Sequence, residues 1–214
     1  MNHRVLVTGG MGFVGGRVSQ SLSKRSDVSL TLGSRVAHKN PLWLPSAQVI
    51  KMDWCSQQSL ILACEGINTL VHLAGLNAFE CLRDPVLALE VNAVNTARLM
   101  LAAKEAGVGR VIYFSTAHVY GASLAGQIDE LSLTKSRHPY STSHRAAEDI
   151  VFASANDNFD TIVLRLSNGF GVPSHAAVNA WMLLGNAHRI TRGVLIFSLS
   201  LISPPIHILP FLHA

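Results

Sequence analysis

Short apolar runs recur along this chain, and nearly every one is followed by a stretch whose apolar residues fall at helical spacing. Residues 4–8 form a β-branched run, and 13–26 then carry a helical period. The next extended runs are 28–33, 48–53, 69–74, 110–115 and 160–167, with a short helix expected over 59–65. Asp84-Pro85 reads as an N-cap followed by proline at the first helical position, opening a helix that runs to about Ala106 and stops at Gly107. Strands that are apolar almost throughout are buried on both faces. Strands of that kind separated by helices mean a parallel sheet covered on each side. The expected fold class is therefore α/β, a doubly wound parallel sheet.

Composition agrees with a single large core. The chain is 49% hydrophobic and 14% charged, which is too apolar for a disordered polymer. Its net charge of +4 comes from scattered lysines and arginines with no basic run, so no nucleic-acid partner is expected. The three cysteines, Cys55, Cys64 and Cys81, are odd in number and show no C-x-x-C pair. That usage fits reduced thiols and a cytoplasmic setting. None of the ten histidines falls in a ligand-spaced cluster, so no metal is expected. "MNHRVLVTGG" runs directly into a strand, so no secretion signal is expected either.

The chemistry begins at "VTGGMGFVGG", between the first strand and the first helix. Gly9, Gly12 and Gly15 stand three apart. One glycine permits the tight turn, one lets backbone approach a pyrophosphate, and one lets helix and strand pack closely. The free N–H groups of the helix start, around Phe13 and Val14, then face the phosphates. This is the turn of a Rossmann dinucleotide site. The second strand ends in Ser34 and Arg35. An arginine there meets a 2′-phosphate, which tilts the choice between NAD and NADP toward NADP; otherwise it is a solvated loop residue. Asp53 ends the third strand and serves either as an acceptor for the adenine amino group or as a cap for the next helix.

Taken in order, "VTGGMGFVG", "KMDW", "LVHLAGLNA", "EVNAVNTARLM", "FSTAHVYG", "YSTSH" and "LRLSNGFGVP" resemble the extended short-chain dehydrogenase/reductases, specifically the NAD-dependent epimerase/dehydratase group that acts on nucleotide sugars. The resemblance covers roughly residues 3–184. It implies that Asp53 and Trp54 border the adenine, that Leu73, Ala74 and Gly75 line the cofactor, and that Asn92 is the asparagine of the long helix. It further implies that Thr116 bonds the reacting oxygen and that Tyr140 is the catalytic acid/base, passing a proton while hydride moves to or from the nicotinamide. Asn168 matches a substrate-diphosphate position. Relatives of this kind often dimerise through the long helix and the helix that bears the tyrosine.

Two departures bear on the reaction. The family carries a lysine four residues after the tyrosine, and here that position is His144. A tyrosine with an ordinary pKa of about 10 needs help to ionise near neutrality. A unit charge about 6 Å away, at an effective dielectric of about 20, supplies about 2.8 kcal/mol, or about two pKa units. A neutral imidazole supplies little of it, so weakened chemistry with a sharper dependence on acidity is expected. Lys135, in the preceding loop, is a possible spatial substitute. Family dehydratases also carry an Asp-Glu pair after the threonine, where this chain has Ala117 and His118. That disfavours dehydration and leaves epimerisation or carbonyl reduction; His118 reads as a loop histidine without a role or, in the alternative, as a replacement acid.

The family pattern is expected to stop near Leu184. Residues 1–184 then form the NAD(P)-binding domain, and 185–214 an apolar, aperiodic tail that is not a domain. Such an ending reads as a truncated gene product lacking most of the substrate region. Pro204 and Pro205 interrupt the tail, so a membrane span is not expected. Two functions stand at this point. One is an NAD(P)-dependent epimerase or reductase on a nucleotide sugar; the other is a dinucleotide-binding module without turnover.

Overall fold

Along the first strand, side chains alternate between two cores. Val5 and Val7 point into a cluster with Leu30, Leu32, Leu44, Ala47 and Val71. Leu6 points into the opposite one, with Leu60, Leu70, Leu99, Met100, Val111, Val151 and Val163. A strand buried on both faces cannot lie on the surface of a sandwich; it belongs in the middle of a layered sheet. In the computed structural model that is its position. Residues 2–36, 39–121, 128–167, 173–174 and 199–202 are described.

The strands are β1 (His3–Thr8), β2 (Val28–Ser34), β3 (Gln48–Lys51), β4 (Thr69–His72), β5 (Arg110–Thr116), β6 (Asp160–Leu166) and β7 (Leu199–Ile202). Their spatial order is β3-β2-β1-β4-β5-β6-β7. β1 to β6 pair in parallel, with β1 against both β2 and β4. The chain first winds outward from β1 to β3, then returns past β1 to build β4 to β6. The carboxyl ends of β1 and β4 therefore diverge and open a crevice. β7 pairs antiparallel to β6, which corrects the expectation that the tail supplies no strand. "LSLI" is short and apolar enough to close the β6 edge.

The helices are α1 (Phe13–Leu22), α2 (Gln57–Cys64), α3 (Ala78–Arg83), α4 (Pro85–Glu105) and α5 (Pro139–Ala153). Val18 and Leu22 of α1 pack on the first cluster, whereas α2, α4 and α5 supply the second. Helices thus cover both faces. The expected start of α4 is present: the Asp84 side chain accepts from Leu87 N–H at 2.9 Å, with Pro85 next. α3 was not expected. It opens on a capping box in which Asn77 accepts from Glu80 N–H and Glu80 reaches back to Asn77 N–H. α4 is not uniform, because Glu90–Val94 forms one π-helical turn. It has the length and hydropathy of a membrane span, but half of that stretch is packed inside the fold.

Several element ends differ from the sequence expectation. β3 and β4 stop at Lys51 and His72, short of the expected 53 and 74; past β4 the chain lines the crevice from Leu73 to Gly75, and past β3 Trp54 does so. α1 ends at Leu22 instead of 26. α2 begins at Gln57 because Ser56, not Asp53, accepts from Ser59 N–H.

Candidate active site

The crevice holds a cavity of about 550 Å³. Its walls come from four strand ends: Gly9 and Gly12 after β1, Gly33 to Arg35 on β2, Trp54 after β3, and Leu73 to Gly75 after β4. Gly9 has φ +70°, where a side chain is strained, and a Cβ there would meet the Leu73 and Ala74 backbone at 2.7 Å. A Cβ on Gly15 would strike the Gly9 carbonyl oxygen. Gly12 donates its N–H to that same oxygen at 2.9 Å, closing the turn. No side chain caps the start of α1. The first-turn N–H groups of Phe13, Val14 and Gly15 are thus left for an anion.

Behind the cavity wall lies a chain of hydroxyls and imidazole. Thr96 donates to the Asn92 carbonyl at 2.6 Å, so it must accept from His72 Nε2 at 3.0 Å. His72 Nδ1 is then an acceptor, and Thr8 donates to it at 2.6 Å. Burial lowers His72 to about 3, so it stays uncharged. The Thr8 oxygen also accepts Ala74 N–H at 3.4 Å, which fixes one wall of the crevice. Asn92 fixes the next. Its Oδ1 accepts Leu76 N–H at 2.8 Å and its Nδ2 donates to Ser143 at 3.0 Å. It is buried in the π turn and ties the cavity loop to α5 instead of lining the cavity itself.

The Tyr140 and His144 pair lies past Gly75. A Cβ on Gly75 would lie 3.8 Å from His144 Cε1. The rings of His144 and Tyr140 meet edge-on at 4.6 Å, as i,i+4 neighbours on α5 must. Proline at the first helical position and the His138 ring, which accepts from Tyr140 N–H at 3.2 Å, set this start. Burial raises the Tyr140 phenol, and its hydrogen bond with the Thr116 side chain pulls it back down. Burial, then the neighbouring His118, lowers His144 to about 4. At neutral pH His144 is therefore uncharged.

Beside His118, which the sequence reading named, side chains that it did not name belong here: Tyr113, Glu148 and Arg165, with Ser115 and Tyr120 around them. His118 Nδ1 is 2.9 Å from Thr116 Oγ1, and its ring stands edge-on to Tyr140 at 6.0 Å. The expectation that His118 is an isolated loop residue is thus corrected in its contacts. Tyr113 Oη lies 2.7 Å from His144 Nδ1. Beneath them, Glu148 accepts both nitrogens of an Arg165 fork at 3.0 and 2.8 Å, and Ser115 as well. Arg165 also donates to Tyr120 at 2.8 Å. This buried pair clamps α5 to β5 and β6.

Other expected residues stand apart. Asp53 is exposed and is not among the residues that line the cavity; its Oδ1 accepts from Cys55 N–H at 3.0 Å. Arg35 is exposed at the cavity rim. Lys135 donates its backbone N–H to Val119, and no described contact joins its amine to Tyr140. Asn168 and the boundary at 184 lie outside the described residues.

Residues 5–201 match the model of the NAD dependent epimerase/dehydratase family. The match runs past the point where the sequence pattern was expected to stop. A UDP-glucose 4-epimerase of Erwinia amylovora is 31% identical over 180 residues, covering 78% of this chain and 53% of the relative. A dTDP-D-glucose 4,6-dehydratase of Mus musculus is 32% identical over 185 residues, covering 78% and 51%. The solved structure of MoeE5 in complex with UDP-glucose and NAD superposes with a TM-score of 0.66 at 31% identity, covering 76% of this chain and 53% of that one. The chain spans about half the length of the curated relatives it matches. With the glycine turn, the crevice and the family match on one continuous segment, the chain belongs to the NAD-dependent epimerase/dehydratase family.

Proposed function

We propose that this chain binds NAD or NADP across the crevice and acts as an epimerase or reductase on a nucleotide sugar. The observation that carries the reading is continuity: one cavity runs from the uncapped start of α1 to Gly75, and His144 and Tyr140 stand just behind that glycine. The residues fit the cofactor. Side chains at Gly9 or Gly15 would collide with backbone, so only the bare turn leaves amides open to a pyrophosphate. Trp54 would flank the adenine, and Arg35 at the rim would accept a 2′-phosphate or remain solvated.

When bound, the nicotinamide supplies the hydride acceptor and donor. The protein does the rest. Thr116 orients a sugar hydroxyl, and the Tyr140 oxygen takes its proton and later returns it. His144 holds the cofactor's ribose by a hydrogen bond without lending charge. Without Asp-Glu at 117 and 118, the elimination of water lacks its carboxylates. The direct experiment follows nicotinamide absorbance while the full chain is mixed with NAD or NADP and a panel of UDP- and dTDP-sugars. Reduction of bound cofactor, or interconversion of epimers, is the expected result; binding without either contradicts it.

A second reading, a dinucleotide-binding module without turnover, is favoured by one observation: the uncharged His144 leaves the buried phenol protonated at neutral pH. We also propose a homodimer through α4 and the Tyr140-bearing α5; α4 exposes Val86, Leu87, Leu89 and Leu101. A monomer in sedimentation at micromolar concentration would contradict that. A cytoplasmic setting suits the three free cysteines, and secretion of the chain with oxidised thiols would oppose it.

A further inference from the structure

His144 makes one contact that the proposed chemistry does not use. Its Nδ1 meets the Tyr113 hydroxyl at 2.7 Å, with the two side chains 7% and 1% exposed. The rings lie 6.0 Å apart at 28°, so the phenol is held in place by packing as well as by the bond. Which partner donates is decided by protonation. Burial, then the nearby Glu148 and Tyr140, push the Tyr113 phenol well above its ordinary value, so it keeps its proton. Burial lowers His144 to about 4, so its imidazole is neutral. Between two neutral groups the phenol O–H is the stronger donor and the imidazole lone pair the stronger acceptor, which favours the bond from Tyr113 to His144 Nδ1. A neutral imidazole carries one N–H, which is then on Nε2.

That nitrogen has no partner among the described residues. The ring edge next to it faces Gly75, which lines the cavity, with the Tyr140 ring alongside. A polar atom on a side chain this buried seeks a partner, and the ring edge beside it lies toward Gly75, a residue of the cavity wall.

We infer that Tyr113 is a positioning residue that locks His144 as the Nε2–H tautomer, so that a neutral donor is aimed between Gly75 and Tyr140 at a ribose hydroxyl of the bound dinucleotide. The ribose half rests on the proposed function; the tautomer half does not. The device keeps one hydrogen bond where the family has an amine, and gives up that amine's charge. Tyr113 sits on β5 and His144 a full element later on α5, so the lock also fixes the helix that bears Tyr140.

The test uses the full chain labelled with ¹⁵N-histidine. Long-range proton–nitrogen correlation at neutral pH reads the tautomer of His144, assigned with His144→Gln. Calorimetry gives the affinity for NAD and NADP. Wild type is expected to show a single Nε2–H tautomer, and its Nε2 resonance to move when cofactor is added. Tyr113→Phe is expected to show mixed tautomers and about tenfold weaker cofactor binding, the size of one lost hydrogen bond. An Nδ1–H tautomer or an imidazolium in wild type overturns the inference without needing any variant to fold. So does unchanged tautomer and affinity in Tyr113→Phe. A locked tautomer in a chain that ignores both cofactors overturns the dinucleotide reading and the ribose half with it. Wild-type chain that binds cofactor without a single Nε2–H tautomer overturns this inference alone.

Discussion

The two ends of the crevice are built from opposite materials. The phosphate end is backbone: Gly9, Gly12, Gly15 and the uncapped amides of α1, with the side chains kept out. The reacting end is side chains: Tyr113, Thr116, His118, Tyr140, His144, Glu148 and Arg165, gathered on β5, β6, α5 and the 3-10 turn Ala117–Tyr120. Backbone amides do not titrate, so the proposed anion cradle at the first end is expected to work across a wide pH range. Buried phenols and imidazoles do titrate, and Tyr113, Tyr140 and His144 resist charging. Binding and chemistry in this fold should therefore come apart under substitution and under acid.

The largest separation is expected for Tyr140→Phe. Removing a general acid/base costs about 10²–10⁴-fold in turnover, while cofactor affinity by calorimetry stays within a fewfold of wild type. Equal loss of both would break the division. Next comes Arg165→Leu, which leaves the Glu148 carboxylate, 0% exposed, with Ser115 and a longer contact to Arg145 at 3.6 Å. Breaking such a pair costs about 3–5 kcal/mol, read as a lower urea midpoint; the charge-neutral double variant with Glu148→Leu should recover much of it.

Acid comes third. His72 and His144 are neutral in the fold, lowered to about 3 and about 4, and titrate near 6.5 when unfolded. The unfolded chain then binds more protons below that value. Stability is complete above about pH 6.5 and falls as the pH drops through about 4 for His144 and about 3 for His72. Each adds a slope of up to about 1.4 kcal/mol per pH unit. Urea unfolding at stepped pH checks this, and His144→Gln should lose its share of the slope. The smallest effect expected is a gain. His144→Lys restores a charge beside Tyr140, and turnover at neutral pH should rise about tenfold, as a phenol lowered by about one unit allows. No change would locate the deficit in the substrate region instead.

Much of this arrangement was legible in the residues. Apolar strands such as "RVLVT" admit only a covered sheet, and glycines three apart after the first of them admit few turns. Asp84-Pro85 announced α4 correctly. The capping box at Asn77 and Glu80 carried a readable signal in "NAFE" that went unused. The π turn at Glu90–Val94 carried no such signal. Tyr113 was hidden as well. In "RVIYFS" it reads as one more apolar strand residue, and its hydroxyl matters only because a histidine 31 positions later folds against it. Arg165 and Glu148 were hidden in the same way, one inside an apolar strand and one on a polar helix. His118 looked idle because its partners are Thr116 and a ring on another element. Long-range pairs of this kind have no local period to betray them.

The most direct measurement is calorimetric titration of NAD and NADP into the full chain and into Gly15→Ala, whose Cβ would press on the Gly9 carbonyl. Wild type should bind at least one of the two at a single site. The variant should bind about tenfold to hundredfold more weakly, as overpacking of about 1–3 kcal/mol requires. Folded wild-type chain that takes up neither cofactor at millimolar concentration, or a Gly15→Ala variant that binds as well as wild type, would contradict a backbone cradle at the head of α1.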